Sequence, residues 1–367
     1  MMYTDPLIQQ VMERPPTWLP QRPKRGDIII SSRIRLARNL HGFPFPLNAS
    51  PSVRGEVANA FFEAMDIIED GNWLRIAMEP LNEESITLLF ERKLISREFL
   101  TREPGRFLVL SSDPNMSVMI NEEDHFRMQY CRPDGNLLKA WSKLSAFDTK
   151  LQEELDFACL PGKGYLTSCP SNLGTGIRAS VMMHLPALRI LDRLKPLKNG
   201  FSNMGITVRG LNGEGTDIIG NLYQISNQST LGESEKEIIQ RLLAVTADIE
   251  REERLAREEL LAGDNRIKLS DCCARAYGNL RYCYQLSSSE ALNLLSFLRL
   301  GSDYGFFPDV RPGDINRLLL LSLPAHLAFT EGERLSPEDR ATKRAALFRR
   351  FLNTSPKRGG KKDTVTE

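Results

Sequence analysis

Between Asp27 and Gln228 the chain alternates apolar and polar positions in short runs. These are Asp27 to Ile34, Trp73 to Met78, Ser85 to Phe90, Arg106 to Leu110, Ser117 to Ile120, His125 to Cys131, Tyr165 to Cys169, Ile206 to Val208 and Leu222 to Ile225. Such runs, bounded by polar turn residues, each predict a strand. Longer stretches at about 51–69, 137–158 and 176–195 predict helices, the first opening on Ser50-Pro51, a capping residue followed by proline at the first helical position. Strands joined by short turns, with helices grouped between blocks of them, predict an α+β fold: an antiparallel sheet flanked by helices.

Beyond Glu233 the period changes. Ile238, Leu242, Val245, Ile249, Ala256 and Leu260 form an apolar seam at helical spacing while Glu250 to Glu259 is densely charged, which predicts one long amphipathic helix. The pattern stays helical through Phe351, with Pro308, Pro312 and Pro324 as breaks. The expected division is an irregular Pro- and Arg-rich arm over 1–26, a sheet-bearing domain over 27–260, an all-α domain over 261–352 and a disordered tail over 353–367.

Composition then narrows the function. With 48 Lys+Arg against 47 Asp+Glu the formal charge is +1, so there is no basic excess of the kind that binds nucleic acid or a membrane surface. No stretch approaches the ~20 apolar residues of a spanning helix, and the start MMYTDPLIQQVMERPP has no signal-peptide pattern, so a cytoplasmic protein is expected. Six cysteines in so long a chain, without a C-x-x-C pair, and four scattered histidines predict reduced thiols and no structural zinc.

Four segments carry candidate chemistry. In Ser31-Ser32-Arg33-Ile34-Arg35-Leu36 a strand would put Arg33 and Arg35 on one face, either as a solvated edge or as two guanidinium forks suited to phosphate oxygens. Asn121-Glu122-Glu123-Asp124-His125-Phe126-Arg127 is either an acidic hairpin turn or a carboxylate that orients and deprotonates a nucleophile beside a phosphate-holding arginine. In Cys169-Pro170-Ser171-Asn172-Leu173-Gly174-Thr175-Gly176-Ile177-Arg178 a strand is expected to turn into a helix whose first turn bears Arg178. Cys169 there is either a buried structural thiol or a reactive thiolate. Finally, Val208-Arg209-Gly210-Leu211-Asn212-Gly213-Glu214-Gly215-Thr216 sets Glu214 between glycines, as in a surface turn or a loop that closes on a ligand.

Neither a Walker loop nor a complete dinucleotide fingerprint occurs. Together the segments supply five arginines, three glutamates and one cysteine, a set suited to phosphoryl transfer onto a cationic acceptor with Mg²⁺ on the nucleotide. A guanidinium is a poor nucleophile, since its pKa exceeds about 12; carboxylates beside it would fix its orientation and take up a proton.

These four motifs, in this order, resemble the phosphagen (guanidino) kinase superfamily, and more closely its bacterial protein arginine kinase branch. The resemblance is strong over about Asp27 to Gln228 and weaker in segments such as Arg299-Leu300-Gly301 and Pro324-Ala325-His326-Leu327. It implies that Arg33, Arg35, Arg127, Arg178 and Arg209 bind the ATP phosphates and that Glu123 and Glu214 hold the acceptor guanidinium, with Cys169 beside it. Glu122 would support Glu123 or the metal-bound water shell. Where such kinases commonly carry a histidine near the adenine, this chain reads Glu91-Arg92-Lys93-Leu94, leaving the base contact open.

Only about 26 residues precede the first motif, whereas kinases of small guanidino compounds begin with a helical domain of roughly one hundred. That difference favours an arginine side chain on a protein as acceptor. The branch implies a C-terminal domain that dimerises, a zinc-containing activator and an AAA+ protease as partners, and a stress-response role. It also implies a phosphoarginine pocket, for which the matching residues are Arg340 and Arg344, with Ala341 where the family has an acid. These two arginines read equally as a solvated helix face. The alternatives are a kinase of free arginine or another small guanidino compound, and a non-catalytic protease adaptor.

Overall fold

The computed structural model describes residues 5–20, 23–24, 26–68, 73–210 and 219–354. Elements run α1 (Pro6–Glu13), β1 (Ile29–Arg38), α2 (Pro51–Ile68), β2 (Leu74–Ala77), α3 (Glu83–Glu91), β3 (Phe107–Leu110), β4 (Met116–Ile120), β5 (Phe126–Arg132) and α4 (Leu137–Glu154). Next come β6 (Cys159–Leu160), β7 (Gly164–Tyr165), β8 (Ile177–His184), α5 (Pro186–Ile190), α6 (Leu194–Asn203), β9 (Ile206–Gly210), β10 (Leu222–Asn227) and α7 (Glu235–Leu260). The remainder is helical: α8 (Gly263–Tyr282), α9 (Ser288–Asp303), α10 (Pro312–Leu321), α11 (Pro324–Glu331) and α12 (Pro337–Thr354).

The strands form one eight-stranded sheet in the order β2-β3-β4-β5-β1-β8-β10-β9, every pairing antiparallel, while β6 and β7 make a separate hairpin. The expected antiparallel sheet with helices is therefore what the chain builds. Helix α4 packs on β1 and β5. Ile34, Leu36, Phe126, Met128, Ile177, Ala179, Val181 and Met183 are all fully buried along the central strands.

Four local expectations fail for physical reasons. Ser85 to Phe90 lies within α3, because Asn82 caps it through Ser85 N–H at 2.8 Å and Ile86, Leu88 and Leu89 make a continuous buried face. The stretch 176–195 holds strand β8 before the short α5: its apolar run fills a central strand between β1 and β10, a case in which hydrophobicity alone does not separate strand from helix. Tyr165 to Cys169 pairs only at β7 and then enters a 3₁₀ turn over Pro170–Asn172. The arm is not irregular: Asp5 caps α1, and Ile8, Val11, Trp18 and Leu19 are buried.

Chain contacts define two units, Met1–Pro20 with Ile28–Ala256, and Gln21–Asp27 with Arg257–Glu367. In the second unit Gly301 is required by a close approach, since a Cβ there would lie 2.5 Å from the Phe307 ring. Arg299 is buried in the same unit and donates to Asn316 at 3.0 Å. Residues 353 and 354 still belong to α12; the expected disordered tail otherwise lies outside the described residues.

Candidate active site

The pairing register brings the candidate arginines together. Side chains directly opposite in an antiparallel pair share a face. Arg35 stands opposite Gln129 on β5 and Arg178 on β8; Arg33 stands opposite Cys131 and Ser180. One strand further out, Gln224 pairs with Met182 and with Arg209 on β9. One face of the sheet therefore carries Arg33, Arg35, Arg127, Arg178 and Arg209, which line a cavity of about 320 Å³ together with Glu123 and Cys169. Arg178 thus reaches the cavity from a strand rather than from a helix start. Glu214 lies outside the described residues.

Electrostatics divide four of these arginines into two kinds. Arg127 is anchored: its Nη1 donates to both carboxylate oxygens of Glu122 at 2.7 and 2.5 Å, and Glu123 stands 3.7 Å away. Burial works against its charge, but the Glu122 carboxylate more than offsets this and raises its pKa. The Glu122 side chain is wholly buried. Burial pushes its carboxyl up, yet Arg127 and the Ser96 hydroxyl hold it below the usual range. Glu122 therefore acts as the fixed counter-ion of Arg127.

Arg33, Arg35 and Arg178 are the other kind. Burial lowers the pKa of each, and mutual repulsion adds to the effect; Arg178 falls to about 10, and Arg35 well below the ordinary value. Their polar contacts are long, 3.5 Å from Arg33 to Gln224 and 3.4 Å from Arg178 to Ser226. The Arg35 Nε is buried with no acceptor among the described residues. Converging cations with unsatisfied donors fit a polyanion, and planar guanidinium forks fit phosphate oxygens in particular.

Glu123 sits at the tip of the β4–β5 turn, where Asn121 adopts φ 59° and donates to the Arg54 and Gly105 carbonyls. Its carboxylate is 43% exposed. Burial first, then the neighbouring charges of Glu122, Glu98 and Asp124, raise its pKa against the pull of Arg127. The buried Asp124 ties this turn to the Cys169 segment: its Oδ1 accepts from Asn39 and from the Ser168 N–H, both at 2.7 Å. Ser168 Oγ in turn donates to the Glu123 carbonyl at 2.5 Å. Cys169 Sγ lies 3.0 Å from Ser171 Oγ. Gly176 makes the following turn possible at φ 67°, since a Cβ there would lie 2.6 Å from the Ala37 carbonyl oxygen.

Sequence reading missed several cavity residues. Arg97 and Glu98 lie in a stretch with no motif, and Trp18 comes from the arm; a lone aromatic beside Leu19 in a Pro- and Arg-rich segment was the available signal. Cys131 also lines the cavity, so Cys169 is not its single thiol, and burial pushes the Cys131 thiol up. In the second unit Arg344 is neither solvated nor open to a ligand. It is 2% exposed and donates to the carbonyls of Ser322 at 2.7 Å, Leu286 at 2.8 Å and Arg340 at 3.3 Å. Arg340 is half-buried and donates to the Leu335 carbonyl.

Residues 53–256 match the family described as ATP:guanido phosphotransferase, C-terminal catalytic domain. A crystal structure of lombricine kinase shares the fold, with a TM-score of 0.55 and 23% identity over 64% of this chain and 69% of that one. The duplicated taurocyamine kinase from Schistosoma mansoni gives a TM-score of 0.58 and 24% identity over 78% of this chain and 43% of that one. The chain belongs to the ATP:guanido phosphotransferase family.

Residues 266–363 match the Protein-arginine kinase McsB C-terminal domain. The protein-arginine kinase of Halothermothrix orenii is 43% identical over 336 residues, 92% of this chain and 96% of that protein. The protein-arginine kinase of Bacillus subtilis is 39% identical over 340 residues, 92% and 93% of the two chains. Within the family, this chain falls among the protein-arginine kinases.

Proposed function

We propose that the protein transfers the γ-phosphoryl group of ATP to arginine side chains of proteins. The observation that carries this reading is the cavity itself, where three arginines with depressed pKa values and unsatisfied or long contacts converge beside a half-exposed carboxylate. A triphosphate would neutralise Arg33, Arg35, Arg178 and Arg209, with Arg127 held in place by Glu122. Mg²⁺, when bound, would screen the phosphates. The ion would come with the nucleotide, bound through its phosphates.

Glu123 is assigned to the acceptor, with Glu214 as its partner and Cys169 beside the guanidinium. A guanidinium nitrogen attacks the γ-phosphorus, the N–P bond forms as the P–O bond to ADP breaks, and the nitrogen's proton passes to Glu123. The raised pKa of that carboxylate makes it a stronger base than an exposed glutamate. Arginines on three sides offset the charge of the moving phosphoryl group.

The relatives' name, protein-arginine kinase, supports a protein acceptor over a free one. We extend the reading to a cytoplasmic homodimer working in the stress response with a zinc-containing activator and an AAA+ protease. No described helix is long and apolar enough to cross a membrane. For the phosphoarginine pocket the half-buried Arg340 is the favoured candidate over Arg344, whose guanidinium already donates to the Ser322, Leu286 and Arg340 carbonyls. The deciding experiment offers Mg-ATP with a loosely folded arginine-rich protein and, in parallel, free arginine, read by mass spectrometry that preserves acid-labile P–N bonds. Phosphoarginine on the protein is expected; phosphate on free arginine alone would overturn the assignment of acceptor.

A further inference from the structure

The cavity has two chemically different parts. Arg127, Arg178, Arg209, Glu123 and Cys169 form one, and the other is walled by Trp18, Phe90, Ile95 and Cys131 around Lys93. In that second part the Lys93 Nζ lies 5.7 Å from the centre of the Trp18 ring and 5.3 Å from that of Phe90. Lys93 takes the left-handed backbone conformation at φ 60°, strained for a lysine, so the surrounding structure holds it there. Burial, and then repulsion by Arg33, lowers its pKa to about 8.

Trp18 is 1% exposed, and its indole N–H has no acceptor among the described residues. A buried donor left unpaired costs about as much as a lost hydrogen bond and calls for a partner. Trp18 reaches the cavity because the arm is pinned to the sheet: Arg14 donates to the Ser111 carbonyl at 2.7 Å, and Arg92 donates to the Arg14 carbonyl. None of this arm lies in the matched region 53–256.

We infer that Trp18, on the N-terminal arm, is a nucleobase-binding residue whose indole N–H donates to a ring nitrogen of the purine, with the Lys93 ammonium as second donor. The inference rests on the ATP reading above and adds a residue to it. The chemistry is that of a planar heteroaromatic with acceptor nitrogens in its plane. Phe90 and Ile95 provide apolar surface for its faces, and the two donors meet its edge. The triphosphate would then extend from this part of the cavity past Arg33 to the cluster around Arg127 and Arg178.

The test compares ATP with inorganic tripolyphosphate, which carries the charge without the base, by calorimetry on the full chain. Trp18→Phe keeps an aromatic ring and removes the donor. It is expected to weaken ATP binding about three- to tenfold, the worth of one hydrogen bond, with tripolyphosphate affinity unchanged. Equal weakening of both ligands, or of neither, overturns the inference. If the unaltered chain binds neither ligand, the ATP reading falls first.

A second measurement needs no substitution in the protein. Among 1-deaza-, 3-deaza- and 7-deaza-ATP, one isomer should bind the unaltered chain weaker than ATP by the same factor. Equal affinity for all three and ATP would overturn the hydrogen bond.

Discussion

Strand β1 carries arginines of opposite character a few residues apart. Arg38 is 1% exposed and fully engaged: Nε and Nη2 grip Asp148 at 3.0 and 2.7 Å, Nη1 donates to the carbonyls of Ala37 and Thr175, and the guanidinium lies 3.6 Å from the Tyr165 ring centre. Arg35, three positions earlier, feels the repulsion of Arg33, Arg127 and Arg178 against the attraction of Glu122, and its buried Nε has no acceptor among the described residues. The same side chain thus serves folding on one face of a strand and stands unsatisfied on the other. What separates them is the supply of acceptors: α4 provides Asp148 on one face, and on the other the buried Arg35 Nε finds none among the described residues. Burial by itself does not tell a structural arginine from a binding one; the unfilled hydrogen-bonding capacity does.

Substitutions sharpen this contrast. Arg38→Met should cost the most, about 3–5 kcal/mol of unfolding free energy, because it strands Asp148 in the interior; urea unfolding measures it. Arg35→Met should reverse the pattern. Stability would be unchanged or higher as like-charge repulsion is relieved, while ATP binding by calorimetry weakens by about 1.5–3 kcal/mol. If Arg35→Met destabilises as much as Arg38→Met, the distinction between the two is lost.

A smaller effect follows from pH. Lys93 is protonated below about 8 and loses its charge as pH rises through that value. ATP affinity should fall by about fivefold over that range, the scale of one ordinary hydrogen bond, and Lys93→Met should abolish the slope. The smallest effect is expected at Arg340→Ala. That side chain donates to the Leu335 carbonyl at the start of α12, so stability should shift by less than about 0.5 kcal/mol, against a large loss for the buried Arg344.

Sequence was informative where chemistry is written in local order. Arg33 and Arg35 could be placed on one face from alternation alone, and the sheet with its long helix α7 follows from two periods. It was less informative where packing decides. Nothing local in Ile177 to His184 says that it pairs with a strand on either side, and nothing in Ser85 to Phe90 outweighs the alternation until the Asn82 cap is weighed. Glu122 and Glu123 are neighbours of one type, yet one is a buried counter-ion and the other half-open, because only Glu122 meets both Arg127 and Ser96. Arg344 shows the converse: four residues from Arg340 on one helix, it turns inward to carbonyls from distant loops.

The pairing of β1 also governs when the site comes into being. Arg33 emerges early in synthesis but finds its neighbours only after Cys131 and Ser180 have been made, and Arg209 follows later still. Each of these closures is long-range and is opposed by loop entropy and by charge repulsion, so no partly folded chain possesses the anion site. A polyphosphate bound at the proposed site would consequently favour the complete sheet alone. Its protection should appear in hydrogen exchange as slowing of the slowest, globally opening amides of the sheet rather than of the fraying ends.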